Sequence, residues 1–179
     1  MVLSNPFFWA FVATVALVGG DAIQGSPVVG RSTLFGLVVV LVATIARVVL
    51  ALPFVVQPRF GAGPGRSIVG VGIVALSLAT MAPLLRIRPL TRPDEVETLR
   101  TSGVYGMVRH PGYLANVLWG LGWAVLFGST IGVLLTPVWA AVFWLHALIE
   151  EEALQRAYGN AYRDYMARVP CRLIPGVPF

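Results

Sequence analysis

The groups able to do polar chemistry concentrate in two short stretches, residues 86–112 and 150–172. The first contains Tyr105, Arg109, His110 and Pro111, with Tyr113 just beyond it. The second opens on Glu150, Glu151 and Glu152 and runs through Tyr158, Tyr162 and Tyr165. Carboxylates, a guanidinium, an imidazole and phenols can together hold charges of either sign, orient a polar reagent and exchange a proton. His146 precedes Glu150 by one helical turn and on a helix would face the same way. Cys171 is the single cysteine, and the sequence has no CxxC and no Cys/His cluster at metal spacing. Redox and zinc chemistry therefore have no support in the sequence.

Most of the remaining chain is apolar. Of its 179 residues 57% are hydrophobic and 12% charged, with a mean hydropathy of +0.80, whereas about a quarter of a soluble domain is charged. The expected fold class is an all-α integral membrane protein, multi-pass and without a separate soluble domain. A bilayer crossing takes about 20 apolar residues, and five runs fit: 3–20, 33–52, 67–85, 113–127 and 131–149. The first has no basic flank and no small-x-small site behind a short apolar core, so it reads as a retained helix and not a cleaved signal. Gly- and Pro-rich breaks follow the first two runs. The apolar stretch from Tyr113 to Ile149 is too long for one helix and carries a turn signal, Gly128-Ser129-Thr130, so it reads as a tight helical hairpin. The charged, aromatic segment from Glu150 onward cannot span.

Arginine placement gives the orientation. All 13 basic residues are arginine, against eight acids, for a net charge of +5. Basic residues beside apolar spans mark the cytoplasmic side and its anionic lipids, so this charge does not require a nucleic-acid partner. A cytosolic C-terminus puts ten arginines inside (Arg31, five in 86–109 and four in the tail) and only Arg59 and Arg66 outside. Arg47 lies within the second run, close enough to Leu52 to snorkel toward the outer headgroups. In this arrangement the two polar stretches flank the hairpin on one face, where a water-soluble reagent can meet a lipid-borne substrate.

Each residue also has a plainer role. Arg109 can be an interface anchor, His110 a polar residue at a helix start, and Tyr105 and Tyr113 members of an aromatic belt. The glutamates can be the solvated start of an amphipathic helix, with Glu152 and Arg156 as an i,i+4 pair. Tyr158, Tyr162 and Tyr165 can be a stripe that docks the tail on the membrane.

The two stretches also carry motifs. TSGVYGMVRHPGY, Thr101 to Tyr113, resembles the Gly-x-Tyr-x-x-x-Arg-His-Pro-x-Tyr signature of the isoprenylcysteine carboxyl methyltransferase and phospholipid methyltransferase superfamily of membrane enzymes. Glu150-Glu151-x-x-Leu154-x-x-x-Tyr158-Gly159-x-x-Tyr162-x-x-Tyr165-x-x-x-Val169-Pro170 is similar to the tail motif of the same superfamily, with Tyr158 standing where the superfamily has Phe. The resemblance covers the chain from Leu99 onward, and the first three runs match only as apolar spans. It implies a helical membrane fold, S-adenosylmethionine as methyl donor bound on the cytosolic side, and a lipophilic acceptor that enters from the bilayer. That donor presents an ammonium, a carboxylate, a sulfonium and an adenine. Glu150 and Glu151 can meet the ammonium, and Arg109 and His110 the carboxylate. Tyr105, Tyr113 and Tyr162 can wall the adenine or the sulfonium. Pro111 suits the first turn of a helix whose free N–H groups favour an anion.

Arg109, Glu150 and His146 are the expected catalytic groups. Superfamily members often carry an arginine near His146, and this sequence has none between Arg109 and Arg156, a departure that weighs against a prenylcysteine acceptor. His146 can be a weaker anion donor, a base for an amine or thiol, or a core histidine bonded to Glu150. Val169 to Pro175 is also similar to the ending of sterol and polyene reductases, which use a nicotinamide cofactor, but those proteins are longer and no GxGxxG follows a strand here. A noncatalytic assembly factor or small transporter is the alternative of another class. Apart from Arg47 no ionisable residue lies deep in the first four runs, which argues against an ion path.

Overall fold

The structure, a computed structural model, describes residues 2–24, 33–85 and 99–178. Arg31 and residues 86–98 of the first polar stretch lie outside the described residues, and with them part of the arginine count. After a 3-10 turn at Val2–Ser4 come α1 (Pro6–Gln24), α2 (Thr33–Ala51) and α3 (Pro64–Leu85), then a second 3-10 turn at Gly103–Gly106. Beyond it lie α4 (Pro111–Phe127), α5 (Thr130–Tyr158) and α6 (Asn160–Arg168). The described residues form helices and two isolated bridges, with no strand among them. Among the described residues two helices are long and apolar enough to cross a membrane, within Pro64–Leu84 and Thr130–Tyr158. Shorter apolar helices cover Pro6–Gly19, Val38–Ala51 and Pro111–Phe127.

The chain divides into two compact units. The first comprises Met1–Leu76 and Asn116–Val142. Small and aliphatic residues seal α1 against α2: Ala13, Leu17, Ala43, Ala46 and Leu50 are buried. Outward positions such as Phe7, Phe11, Val15, Ile45, Ile68 and Val71 are exposed and apolar, a surface that water would penalise and lipid would not. Arg47 is buried; its guanidinium donates to Ala43 O, Asn116 O and Asn116 Oδ1 and lies over the Trp139 ring. It is thus a cross-link between helices and does not reach outward as the sequence reading allowed. Gly70 packs so tightly against the Leu126 backbone that an added Cβ would lie 2.5 Å from it. The loop that follows α2 caps helix ends. Arg59 donates to the carbonyls of Ala51, Leu52, Val55 and Phe127, and Gln57 accepts from Ser129 Oγ and the Ile131 N–H.

The second unit comprises Ser77–Ala115 and Phe143–Phe179. Ser77 Oγ donates to Ala115 O, tying the second half of α3 to the start of α4. At the other end of this unit α5 continues past its apolar stretch for two charged turns and stops at Gly159, whose φ of 54° suits a residue without a Cβ. The chain then reverses into α6, whose Tyr162 and Tyr165 are buried with Val169 against Leu99, Leu154, Tyr158 and Met166. The polar face of α6 carries Arg163, Asp164 and Arg168, all exposed.

Candidate functional site

Pro111 is the first residue of α4, which leaves Arg109 and His110 in the segment that leads into the helix. That segment is not free to wander. The Arg109 N–H donates to Cys171 O at 2.9 Å and the His110 N–H to Arg172 O at 3.0 Å, so the tail after α6 runs alongside it and satisfies its backbone. The Arg109 guanidinium reciprocates through Nη1 with the carbonyls of Val169 and Pro170.

Two guanidinium groups and an imidazole converge on one carboxylate of α5. Glu151 Oε1 accepts from Arg109 Nε at 2.8 Å, from His110 Nε2 at 3.1 Å and from Arg172 Nε at 3.0 Å, and Oε2 accepts from Arg172 Nη2 at 2.8 Å. The Glu151 side chain is only 4% exposed. Burial pushes its carboxyl pKa up, but the hydrogen bonds from His110 and Arg172 and the Arg109 charge more than reverse this and hold it at about 2. Arg172 also lies over the Trp144 ring, 4.6 Å from its centroid.

Glu150, the preceding residue, is placed differently. Its side chain is 34% exposed, and its Oε2 lies 3.3 Å from His110 Nδ1. The His110 imidazole thus bridges two carboxylates. Burial lowers its pKa, but hydrogen bonds to Glu150 and Glu151 and the charges of both outweigh burial and raise it above its usual 6.5. Tyr113 stacks on His110 at 5.4 Å with 9° between planes and is in turn stacked on Phe143. His146 meets Tyr113 and Phe143 edge-on.

Of the residues singled out from sequence, Arg109, His110, Pro111, Tyr113, Glu150, Glu151 and His146 thus form one neighbourhood. Tyr105 joins through its backbone, whose carbonyl accepts from Tyr165 Oη at 2.7 Å. Its own phenol pKa is raised by burial and by the Glu150 charge. Tyr162 is 1% exposed, and its hydroxyl is buried without a hydrogen-bond partner among the described residues. Burial raises its pKa, the Glu151 charge adds to the rise and Arg109 opposes it, so the hydroxyl lies within the field of the ion cluster. The Glu152–Arg156 pair lies outside the cluster, 3.8 Å apart and largely exposed. The sequence reading did not count Arg172 as a site residue; its signals were its setting among apolar neighbours and its place as the arginine of the Val169 to Pro175 stretch that is similar to the reductase ending.

The arrangement can bind a cation at Glu150 and present an aromatic face through Tyr113, and it encloses the Tyr162 hydroxyl, which has no hydrogen-bond partner among the described residues. Residues 65–161, more than half of the chain, match the family model described as Phospholipid methyltransferase. The chain is 36% identical over 81 residues to Protein-S-isoprenylcysteine O-methyltransferase from Schizosaccharomyces pombe, covering 45% of this chain and 34% of that protein. It is 34% identical over 89 residues to Protein-S-isoprenylcysteine O-methyltransferase B from Arabidopsis thaliana, covering 49% and 43% respectively. To Delta(14)-sterol reductase TM7SF2 from Mus musculus it is 38% identical over 85 residues, covering 44% and 19%. The chain therefore spans less than half the length of each of these relatives. No solved structure matches it.

Proposed function

We propose that this chain, which belongs to the phospholipid methyltransferase family, transfers a methyl group from S-adenosylmethionine to a lipophilic acceptor at the cytosolic surface of a membrane. The observation that carries this reading is the meeting of two motifs 42 residues apart in one buried ion cluster that leaves Glu150 partly open. Helices α1 to α4 and the apolar part of α5, up to Ile149, would be the five spans, since α1, α2 and α4, at 19, 19 and 17 residues, approach the length a crossing needs. The C-terminus would lie in the cytosol.

The residues fit the donor: Glu150 is an accessible anion, and the buried Tyr162 hydroxyl lacks a partner among the described residues. When bound, S-adenosylmethionine supplies a methyl group on a sulfonium, open to in-line displacement. Glu150 would hold the ammonium, while His110, Tyr113, Tyr105 and Tyr162 would orient the remainder. Arg109 and Glu151, matched in sequence to the ligand itself, are here engaged with each other and with the tail, so their part is to hold the shape of the site. Pro111 fixes the first turn of α4, which presents Tyr113. A lipophilic carboxylate or thiolate acceptor is already a nucleophile, so positioning and exclusion of water would do most of the catalysis. An amine acceptor would pass its proton to Glu150 or His146.

The test is calorimetry on the purified protein in detergent with S-adenosylmethionine, its demethylated product and NADPH, followed by incubation of labelled donor with total membrane lipid. Heat from the first two and label in a lipid support methyl transfer. The similarity to the Mus musculus sterol reductase favours a second reading: heat from NADPH alone would put a reductase in its place.

A further inference from the structure

We infer that Arg172 is a positioning residue of this site, locking the segment after α6 across Glu151 so that His110 is held toward Glu150. The inference rests on the methyl-donor reading above. Arg172 grips the site twice. Its carbonyl accepts from the His110 N–H, and its guanidinium forks onto both oxygens of Glu151. It therefore sets the spacing between the entry to α4 and the charged turns of α5, the two elements that carry the proposed donor site. Glu151 Oε2 takes its charged hydrogen bond from Arg172 at 2.8 Å, in a side chain only 4% exposed. Without the fork this oxygen is buried and under-satisfied, which strongly disfavours the present rotamer. Any turn of the carboxylate moves Oε1, which is also the seat of His110 Nε2. The other ring nitrogen faces Glu150, so His110 transmits the displacement to the one carboxylate that is partly open. Trp144 limits the alternatives by lying under the guanidinium.

The opposite role is also chemically available, because a guanidinium on a carboxylate resembles a bound ammonium. A segment acting as a cover would have to leave before the donor enters. The two roles predict opposite signs on removal of the charge.

The experiment compares R172Q, R172K and, as control, R168Q on the exposed face of α6, each purified in detergent. S-adenosylmethionine binding is read by calorimetry, and the titration of His110 by NMR of histidine-labelled protein, assigned with the help of H146N. The groups facing His110 are Glu150 and Glu151 from α5 and Tyr113 from α4, with Arg109 and Arg172 sharing Glu151. Positioning predicts that R172Q weakens donor binding roughly ten- to hundredfold, that R172K recovers part of it, and that R168Q binds as the parent does. It also predicts that His110 titrates at higher pH in R172Q, because Glu151 keeps its charge and loses one of its cations. Parent-like binding and titration in R172Q overturn the inference, and tighter binding makes the segment a cover. Should R172Q fail to fold, R172K decides, with intermediate binding expected and parent-like binding and titration overturning. A parent protein that binds no donor sinks the methyl-transfer reading, and the His110 titration then judges Arg172 by itself.

Discussion

Glu150 and Glu151 are neighbours in sequence, yet successive helical residues point about 100° apart, and this separates their fates. Glu151 is enclosed by Arg109, His110 and Arg172, while Glu150 reaches solvent. E151Q should therefore destabilise the protein by about 3 to 5 kcal/mol in a thermal melt, since it strands buried cations. E150Q should melt within about 1 kcal/mol of the parent and weaken donor binding by roughly one to two powers of ten in calorimetry. The pH dependence has two limbs. The Glu151 pKa falls from 4.5 to about 2 on folding, so its contribution is present above pH 4.5 and is lost as the pH drops toward 2. The His110 pKa rises on folding, so its contribution is full below 6.5 and is lost as the pH climbs through the folded value. A plot of melting temperature against pH should be highest between these limits, and H110Q should lose the alkaline fall. The sequence indicated both glutamates through the Glu-Glu motif that follows the apolar run and pairs with the Arg-His-Pro motif before it. It did not indicate which one faces inward, nor that Arg172 completes the cluster, because both depend on where a distant tail docks.

The elements show why the site can be held so closely. In α5 the apolar and charged portions form one uninterrupted helix, so Glu150 and Glu151 stand on a rod and not on a loop. Apolar periodicity ends the fifth run at Ile149, but Glu, Ala, Leu, Gln and Arg are good helix formers and carry the helix on to Tyr158. Gly159 then turns the chain; G159A should cost roughly 1 to 3 kcal/mol by chemical denaturation, because φ 54° with ψ −124° is a backbone conformation that strains a side chain. Tyr165 docks α6 on the Tyr105 carbonyl, and Y165F should lose about 1 kcal/mol in the same assay. The tyrosine spacing made the stripe legible. Its partner Leu99 and the Tyr105 carbonyl were not legible, because hydrogen bonds across about sixty residues leave no periodic trace.

For the molecule as a whole, the proposed five spans and the arginine distribution predict that a tag on the C-terminus is cleaved by protease only from the cytosolic side. Cleavage from the opposite side alone would remove the site from its water-soluble donor. The helices were readable because bilayer crossings need long apolar runs and Gly- and Pro-rich breaks interrupt them. Contacts such as Arg47 with Asn116 were not, because lipid-facing and protein-facing sides of a span are both apolar. The tail that satisfies the Arg109 guanidinium, finally, joins the chain 60 residues after Arg109 itself. At ordinary rates of synthesis the interval is about three to twelve seconds. On the proposed five-span reading, α4 would begin to enter the bilayer during that time while Arg109 still lacks part of its shell, so insertion would begin before the site assembles. A nascent chain would therefore meet the membrane before its proposed site is complete.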